Sequence, residues 1–518
     1  MWLLHSLAKY ESFNIYVMIK SKGIYFLLFI ILFAGTVSAQ NKVTRKVIEI
    51  GRTDNRTMEH LDVLSNRFGG RPIGSNAYTN ATCWVADLLK GWGLEVEIQE
   101  VGELPVGFNR GPWFGKMYSD IYMPLEFVTP SYTSGTKGVQ RGHVLIEPKT
   151  RQEFERMKGK LKGAWVLIEG KSDGFAIDHS ERGDSLRRSV IEHNESASND
   201  SLKKTEPALF LKEMKEAGIL GTIQSASVPL VALYDRKNLF DLSFDNLPST
   251  PDIKLSEDQY DLIRKKAERR EYLILEFDIR NYFRPGPVKF HNVIGKIKGA
   301  KYPDEYVMSG CHLDSYDAAT GAVDCGTGVA PNLEMARMLT LAGAKPDRTI
   351  LFCFWAAEEF GLLGSKFWVE QNKDRLHKIS NYFNRDGGPT AASGLVVPEN
   401  WYDDMVKCTR ELVDYHPEIP FTVEKSTRPP QPIPHDAWGT DHAFFARNGV
   451  PVVPFKNTDL LGYNFNYREI WHTTRDLYNM SIPEYMEYTS VTQAVTVYNM
   501  ANLKHLMPRD QIYEEEKR

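Results

Sequence analysis

The stretch Leu351-Phe352-Cys353-Phe354-Trp355-Ala356-Ala357-Glu358-Glu359-Phe360-Gly361 decides how this chain is read. Its short apolar run has the length and texture of a fully buried strand, and it runs straight into two adjacent carboxylates. Burying unpaired charge is costly, so the pair implies something positive at the end of the strand. Adjacent side chains point in different directions, which lets one glutamate bind a cation while the other faces a substrate as a proton shuttle. A helix N-terminus rich in acids would carry the same residues, and the motifs on either side bear on that choice.

Outward from this stretch the chain reads as regular α/β. Arg348–Trp355, Glu305–Ser309 and Val288–Ile297 are strand-like, and Val329–Leu341 is expected to be an amphipathic helix between two of them. Strands alternating with helices predict a mostly parallel sheet covered on both faces, with functional residues gathered at the strands' carboxyl ends. Nearer the start, residues 55–68 are helical in pattern and Phe68–Ser75 breaks it with three glycines and a proline. Asn76–Gly91 recovers it through Ala77, Ala81, Val85 and Leu88/Leu89, before Leu94–Ile98 alternates as a strand. Between about 124 and 283 the texture changes to short β segments and charged turns. Val139–Ile146, Ala164–Ile168 and Ser227–Leu233 read as strands, Leu209–Ala217 as a short helix, and the polar stretch Ser172–Thr205 as an exposed loop. This block has almost no clustered histidines and is assigned no chemistry.

The chain has 518 residues, 42% hydrophobic and 25% charged, with a net charge of −4. That is the composition of a soluble globular protein of two or three domains, and it argues against disorder, a fibrous repeat, a multi-span membrane protein and, weakly, a nucleic-acid binder. Five cysteines form no disulfide framework and leave at least one unpaired. Lys20 and Lys22 precede an apolar run, Ile24–Phe33, followed by Val37-Ser38-Ala39. The pattern is that of a secretory signal cleaved after Ala39, with Met18 the more natural start. The run is too short to span roughly 30 Å of hydrocarbon, so the expected location is secreted or periplasmic.

Four further stretches concentrate His, Asp and Glu. Gly310-Cys311-His312-Leu313-Asp314-Ser315 offers a ring nitrogen, with Asp314 near enough to fix its tautomer. Gly321–Gly328 carries Asp324, which either points back toward His312 or caps the following helix. Asn384-Arg385-Asp386-Gly387-Gly388 and Ile470-Trp471-His472-Thr473-Thr474-Arg475-Asp476 complete the set, Asp476 being placed to cap or to orient near His472. Nitrogen and oxygen donors without thiolate suit zinc, with cobalt or manganese as substitutes. Two such ions bridged by a carboxylate and a water form a hydrolytic arrangement.

On His312–Ser315, Gly321–Gly328, Trp355–Gly361, Asp386 and His472–Asp476 the sequence resembles the co-catalytic zinc exopeptidases, the family of di-zinc aminopeptidases and glutamate carboxypeptidases. The likeness is closest to its carboxypeptidase Q branch, through His312–Asp317 and Gly321–Asp324. It extends to Arg71–Ser75, Trp92–Leu94, Gly439–His442 and Gly449–Pro451. It implies an α/β fold with a mixed, mostly parallel sheet, interrupted by a β-rich protease-associated insert. The parts would be a signal at 1–39, catalytic residues 40–123, the insert at 124–283 and the zinc peptidase domain at 284–518.

It further implies that Asp324 bridges two Zn2+ ions, with His312 and Asp386 completing one site and Glu359 and His472 the other. Glu358 would be the general base and acid on the bridging water, Asp314 would orient His312, and a cis peptide would follow Asp324. The activity implied is release of single amino acids from peptides, as an aminopeptidase or a dipeptidase. The expected partner is a peptide, with no nucleic acid and no stable membrane insertion after signal cleavage; a homodimer is left open. Two rivals share the fold: a single-zinc glutaminyl cyclase, which the presence of His312 and the insert argue against, and an inert receptor or scaffold, which the intact ligand residues argue against.

The chain departs from the family pattern at Cys325, read as a buried neutral thiol, and at Trp471, where some relatives carry an oxyanion-stabilising tyrosine. Tyr463, Tyr467 and His442 are the candidates left for that role, and Arg385, Arg447 and Arg475 for a carboxylate pocket.

Overall fold

The computed structural model describes residues 42–234, 239–436 and 438–514; the expected signal at 1–39 lies outside the described residues. Among the described residues eleven strands join in one mixed sheet: β1 (Glu95–Tyr118), β2 (Tyr122–Pro124), β3 (Phe127–Val128), β4 (Gln140–Ile146), β5 (Ala164–Ser172), β6 (Gly221–Ala226), β7 (Asp252–Ser256), β8 (Ile274–Ile297), β9 (Tyr302–His312), β10 (Arg348–Trp355) and β11 (Ile379–Asn384). The order is β11-β9-β10-β8-β4-β5-β6-β7-β3, with β1 paired to β8. Two parallel runs, β11-β9-β10 and β4-β5-β6-β7, meet at β8, which is antiparallel to both.

β1 and β8, each 24 residues long, pair along most of their length. They carry the sheet from the run that holds the catalytic motifs to the block at 124–283, which has apolar cores of its own around Trp165 and Phe277 and around Phe154 and Phe210. β10 spans the residues expected for it and is buried throughout. The expected helix Asn76–Gly91 also forms, because Ser75 accepts a hydrogen bond from the Tyr78 amide as its N-cap.

Three expectations are corrected. Ser172–Thr205 is not all exposed loop, for Glu181–Ser196 is a helix capped by Ser180, with acids in its first turn and Val190, Ile191, Arg187 and Asn194 buried. Part of its inner face is polar, which hid the periodicity. Ser227–Leu233 is not a strand; Val231 makes only an isolated bridge, to Thr473. The helix expected at Val329–Leu341 begins at Gly326 and is buried on all sides down to Leu339, not amphipathic. It lies between the sheet and the equally buried helix Pro483–Ala501, and with neighbours on every face it buries even Asn332, Glu334 and Arg337.

Candidate metal centre

The parallel register sets the first positions. Trp355 at the end of β10 pairs with His312 at the end of β9, and Asn384 at the end of β11 pairs with Gly310. The residues just beyond these ends, Glu358–Glu359 and Asp386, therefore emerge beside His312, at the carboxyl edge where such sheets place their sites. Ala357 has φ +58°, a left-handed residue that turns the chain sharply between strand and glutamates. Asp324 arrives from the loop before helix Gly326–Leu341, and the Asp324–Cys325 peptide is cis. Asp324 does not cap that helix, whose N-terminus has no side-chain cap.

Asp324 lies between the two histidines. One carboxylate oxygen is 3.2 Å from His312 Nε2 and the other 3.3 Å from His472 Nε2. Asp386 approaches His312 Nε2 at 3.5 Å, and Glu359 approaches His472 Nε2 at 3.1 Å. Candidate ligand atoms of His312, Asp324 and Glu359 all lie within 4.8 Å of one another, as do those of His312, Cys325 and Asp386. Asp324 Oδ2 and Glu359 Oε1 are buried without a hydrogen-bond partner among the described residues, an expensive state for a carboxylate unless a cation completes it.

The charge balance points the same way. Burial opposes protonation of His472, but Glu359 and Asp324 outweigh it and raise its pKa to about 10; His312 is raised for the same kind of reason. Burial lifts Glu359 to about 7. Burial would lift Asp324 too, yet the two imidazoles beside it, His312 first and then His472, hold it below the usual carboxylate range. The carboxylates thus call for positive charge at the two imidazoles, which divalent ions supply in place of protons. The donor set fits zinc: imidazole and carboxylate, convergent and dry.

The surrounding contacts depart from the sequence reading at several points. His312 Nδ1 meets the backbone carbonyl of Asp314 at 2.9 Å, while the Asp314 carboxylate is 3.8 Å away. That carboxylate instead accepts the amides of Glu358 (3.1 Å) and Glu359 (3.2 Å), so Asp314 fixes the glutamate turn more directly than the imidazole. Asp476 does not orient His472 through its carboxylate; it accepts the amides of Val323 (2.6 Å) and Asp324 (3.3 Å) and pins the loop of the central carboxylate.

Cys325 is buried, its thiol donates to the Arg385 carbonyl at 3.1 Å, and burial pushes its pKa up to about 12, as expected for a neutral thiol. Gly328 lets these segments close up, for a Cβ there would stand 2.3 Å from the Arg385 carbonyl oxygen.

Arg385 holds no substrate carboxylate, because it is buried with its donors committed to Thr327, Asn457, Gly388 and Thr390. Arg475 pairs with Glu469, and Arg447 stacks over Trp438 and Phe444. Of the oxyanion candidates, Tyr463 bonds to Glu484, outside the cluster. Burial lowers the pKa of His442. Tyr467 packs over Gly388, and burial together with Asp324 and Asp386 raises its pKa. Trp471 stacks on His472, ring centroids 3.8 Å apart, and stays exposed.

Two residues given no role from sequence matter here. Arg71, fully buried, donates to the carbonyls of Leu313, Thr320 and Gly321, tying the His312 loop to the Asp324 loop. Asp441 is buried with both oxygens unpaired among the described residues, and burial raises its pKa to about 8. Both lie in stretches through which the resemblance extends, Arg71–Ser75 and Gly439–His442, and that is the signal the sequence offers for them.

The fold and this cluster define a zinc metallopeptidase, and residues 292–496 match the model of Peptidase family M28. The chain is similar to carboxypeptidase Q of Rattus norvegicus, 26% identical over 464 residues, which covers 89% of this chain and 88% of that protein. A probable glutamate carboxypeptidase of Zea mays is 44% identical over 223 residues, 40% of this chain and 29% of that protein. Among solved structures, a peptidase M28 precursor from Shewanella amazonensis shares the fold, with a TM-score of 0.55 at 20% identity over 90% of this chain and 98% of that one. Among the described residues no helix is long and apolar enough to cross a membrane.

Proposed function

We propose that the protein is a two-zinc exopeptidase acting on peptides outside the cytoplasm, as an aminopeptidase or a dipeptidase of the carboxypeptidase Q kind. The observation that carries this reading is Asp324 set between His312 and His472, with Asp386 and Glu359 on either side. His312 and Asp386 would hold one ion, Glu359 and His472 the other, and Asp324 would reach both. Paired zinc ions, when bound, polarise a carbonyl and acidify a water.

The chain's own part is to position and to move a proton. Glu358, half-buried beside the cluster, is the carboxylate left over from the ligand set. It takes the proton of the attacking water and returns it to the leaving amine. Burial first, and then Asp386, Glu359 and Asp441, raise its pKa; bound cations oppose that rise and leave a base able to work near neutrality. Asp314 keeps Glu358 and Glu359 in register through their amides. We assign 124–283 as a protease-associated insert, supported by its separate apolar cores, and the export signal rests on Lys20–Ala39. The test is Glu358→Gln: zinc content unchanged and turnover down by about 10²–10⁴-fold. A Glu358→Gln enzyme with undiminished turnover on free dipeptides would sink the mechanism.

A further inference from the structure

The sequence gives the block at 124–283 no part in the chemistry, yet one of its segments reaches the metal centre. Residues 230–234 touch three of the segments that build it. The Leu230 carbonyl accepts the amide of Thr474 at 2.9 Å, and Val231 bridges Thr473, immediately beyond His472. Leu230 and Ala232, both buried, pack with Ala318, in the loop that follows His312. Tyr234 reaches furthest. It is 4% exposed, and its ring lies 5.0 Å from that of Tyr316 and 5.2 Å from that of Phe360. Tyr316 in turn meets the His472 ring edge-on at 4.5 Å, and Phe360 directly follows Glu359. The two residues backed in this way, Glu359 and His472, are the two assigned to the same ion.

We propose that Tyr234 is a positioning residue for the Glu359–His472 side of the metal centre, through which the inserted block holds one of the two zinc ions in place. The inference rests on the two-zinc reading given above. Aromatic pairs at these distances add to burial, and ligands held by packed neighbours lose metal when the packing goes. The hydroxyl of Tyr234 makes no hydrogen bond among the described residues, so the contact belongs to the ring. That separates this role from a hydroxyl role: Tyr234→Phe should behave as wild type and Tyr234→Leu should not.

The experiment measures zinc per chain and zinc affinity by chelator competition on the full-length enzyme, with melting temperature alongside. Tyr234→Leu is expected to weaken one of the two ions by about 10-fold or more and leave the other as in wild type, while Tyr234→Phe keeps both. Phe154→Leu, in the outer core of the same block, should lower the melting temperature without loosening zinc. Wild-type affinity for both ions in Tyr234→Leu overturns the proposal, as does equal loss in Tyr234→Phe. Glu359→Gln is the arm for the underlying reading. If it loses no zinc, the ligand assignment fails; if it loses one ion and Tyr234→Leu loses none, the ligand assignment stands and the role of Tyr234 falls.

Discussion

Replacing Asp476 by alanine should loosen the metal centre without touching any proposed ligand. The carboxylate accepts two buried amides, from Val323 at 2.6 Å and Asp324 at 3.3 Å, across 153 residues of sequence. Alanine leaves both donors unpaired, at roughly 1–3 kcal/mol each. The longer contact belongs at the low end, so the total is on the order of 2–4 kcal/mol. The cost is shared between the fold and the placement of Asp324. If half is felt by the ligands, zinc affinity falls by about 10-fold, since each 1.4 kcal/mol is a factor of ten. Asp476→Asn keeps one acceptor but aims an N–H₂ at the other amide, so it should fall between wild type and alanine. Chelator competition reads the affinity, and kcat/KM on dipeptides should drop with it at limiting zinc and recover in part at saturating zinc. An alanine variant that melts earlier yet binds zinc and turns over like wild type would refute the reasoning, reducing Asp476 to a prop of the fold.

Two more outcomes can be checked simply. Of the five cysteines, Cys83 is exposed and the rest are buried, so a thiol reagent should titrate one group rapidly in the native protein and all five in denaturant, with Cys325 protected and zinc undisturbed. Glu147 is buried among backbone amides, and burial raises its pKa from 4.5 to about 8. A carboxyl raised in the folded state contributes stability that is full below the unfolded pKa and is lost as pH climbs through the folded one. Unfolding free energy should therefore fall by a few kcal/mol from about pH 4.5 to pH 8 on this group's account, and the Glu147→Gln difference from wild type, followed by denaturant melts, should change across that window; a constant difference would contradict it.

Much of this is legible in the sequence. β10 and the helix Asn76–Gly91 form where near-neighbour chemistry places them, through an unbroken apolar run in one case and a Ser75 cap with a helical period in the other. The helix Glu181–Ser196 was not legible, because its buried face includes Arg187 and Asn194, which periodicity counts as solvent-facing. Ser227–Leu233 has the composition of a strand but docks against the His472 loop without a partner strand. Asp314 and Asp476 stand close in sequence to a histidine, yet each carboxylate serves backbone amides brought near by the fold.

The sequence by itself determined the α/β class and the acid-ended strand, because buried apolar runs and strand ends are local features, and its resemblance to the co-catalytic zinc exopeptidases implied which two histidines and which carboxylates to expect together. Only the tertiary structure decided that Asp314 and Asp476 serve backbone amides, that the donors of Arg385 are already spent, and that Tyr234 of the inserted block backs Glu359 and His472. The physical reason is range. Caps, turns and periodicity act over a few residues, whereas the packing that aims a side chain joins segments hundreds of residues apart and leaves no local trace.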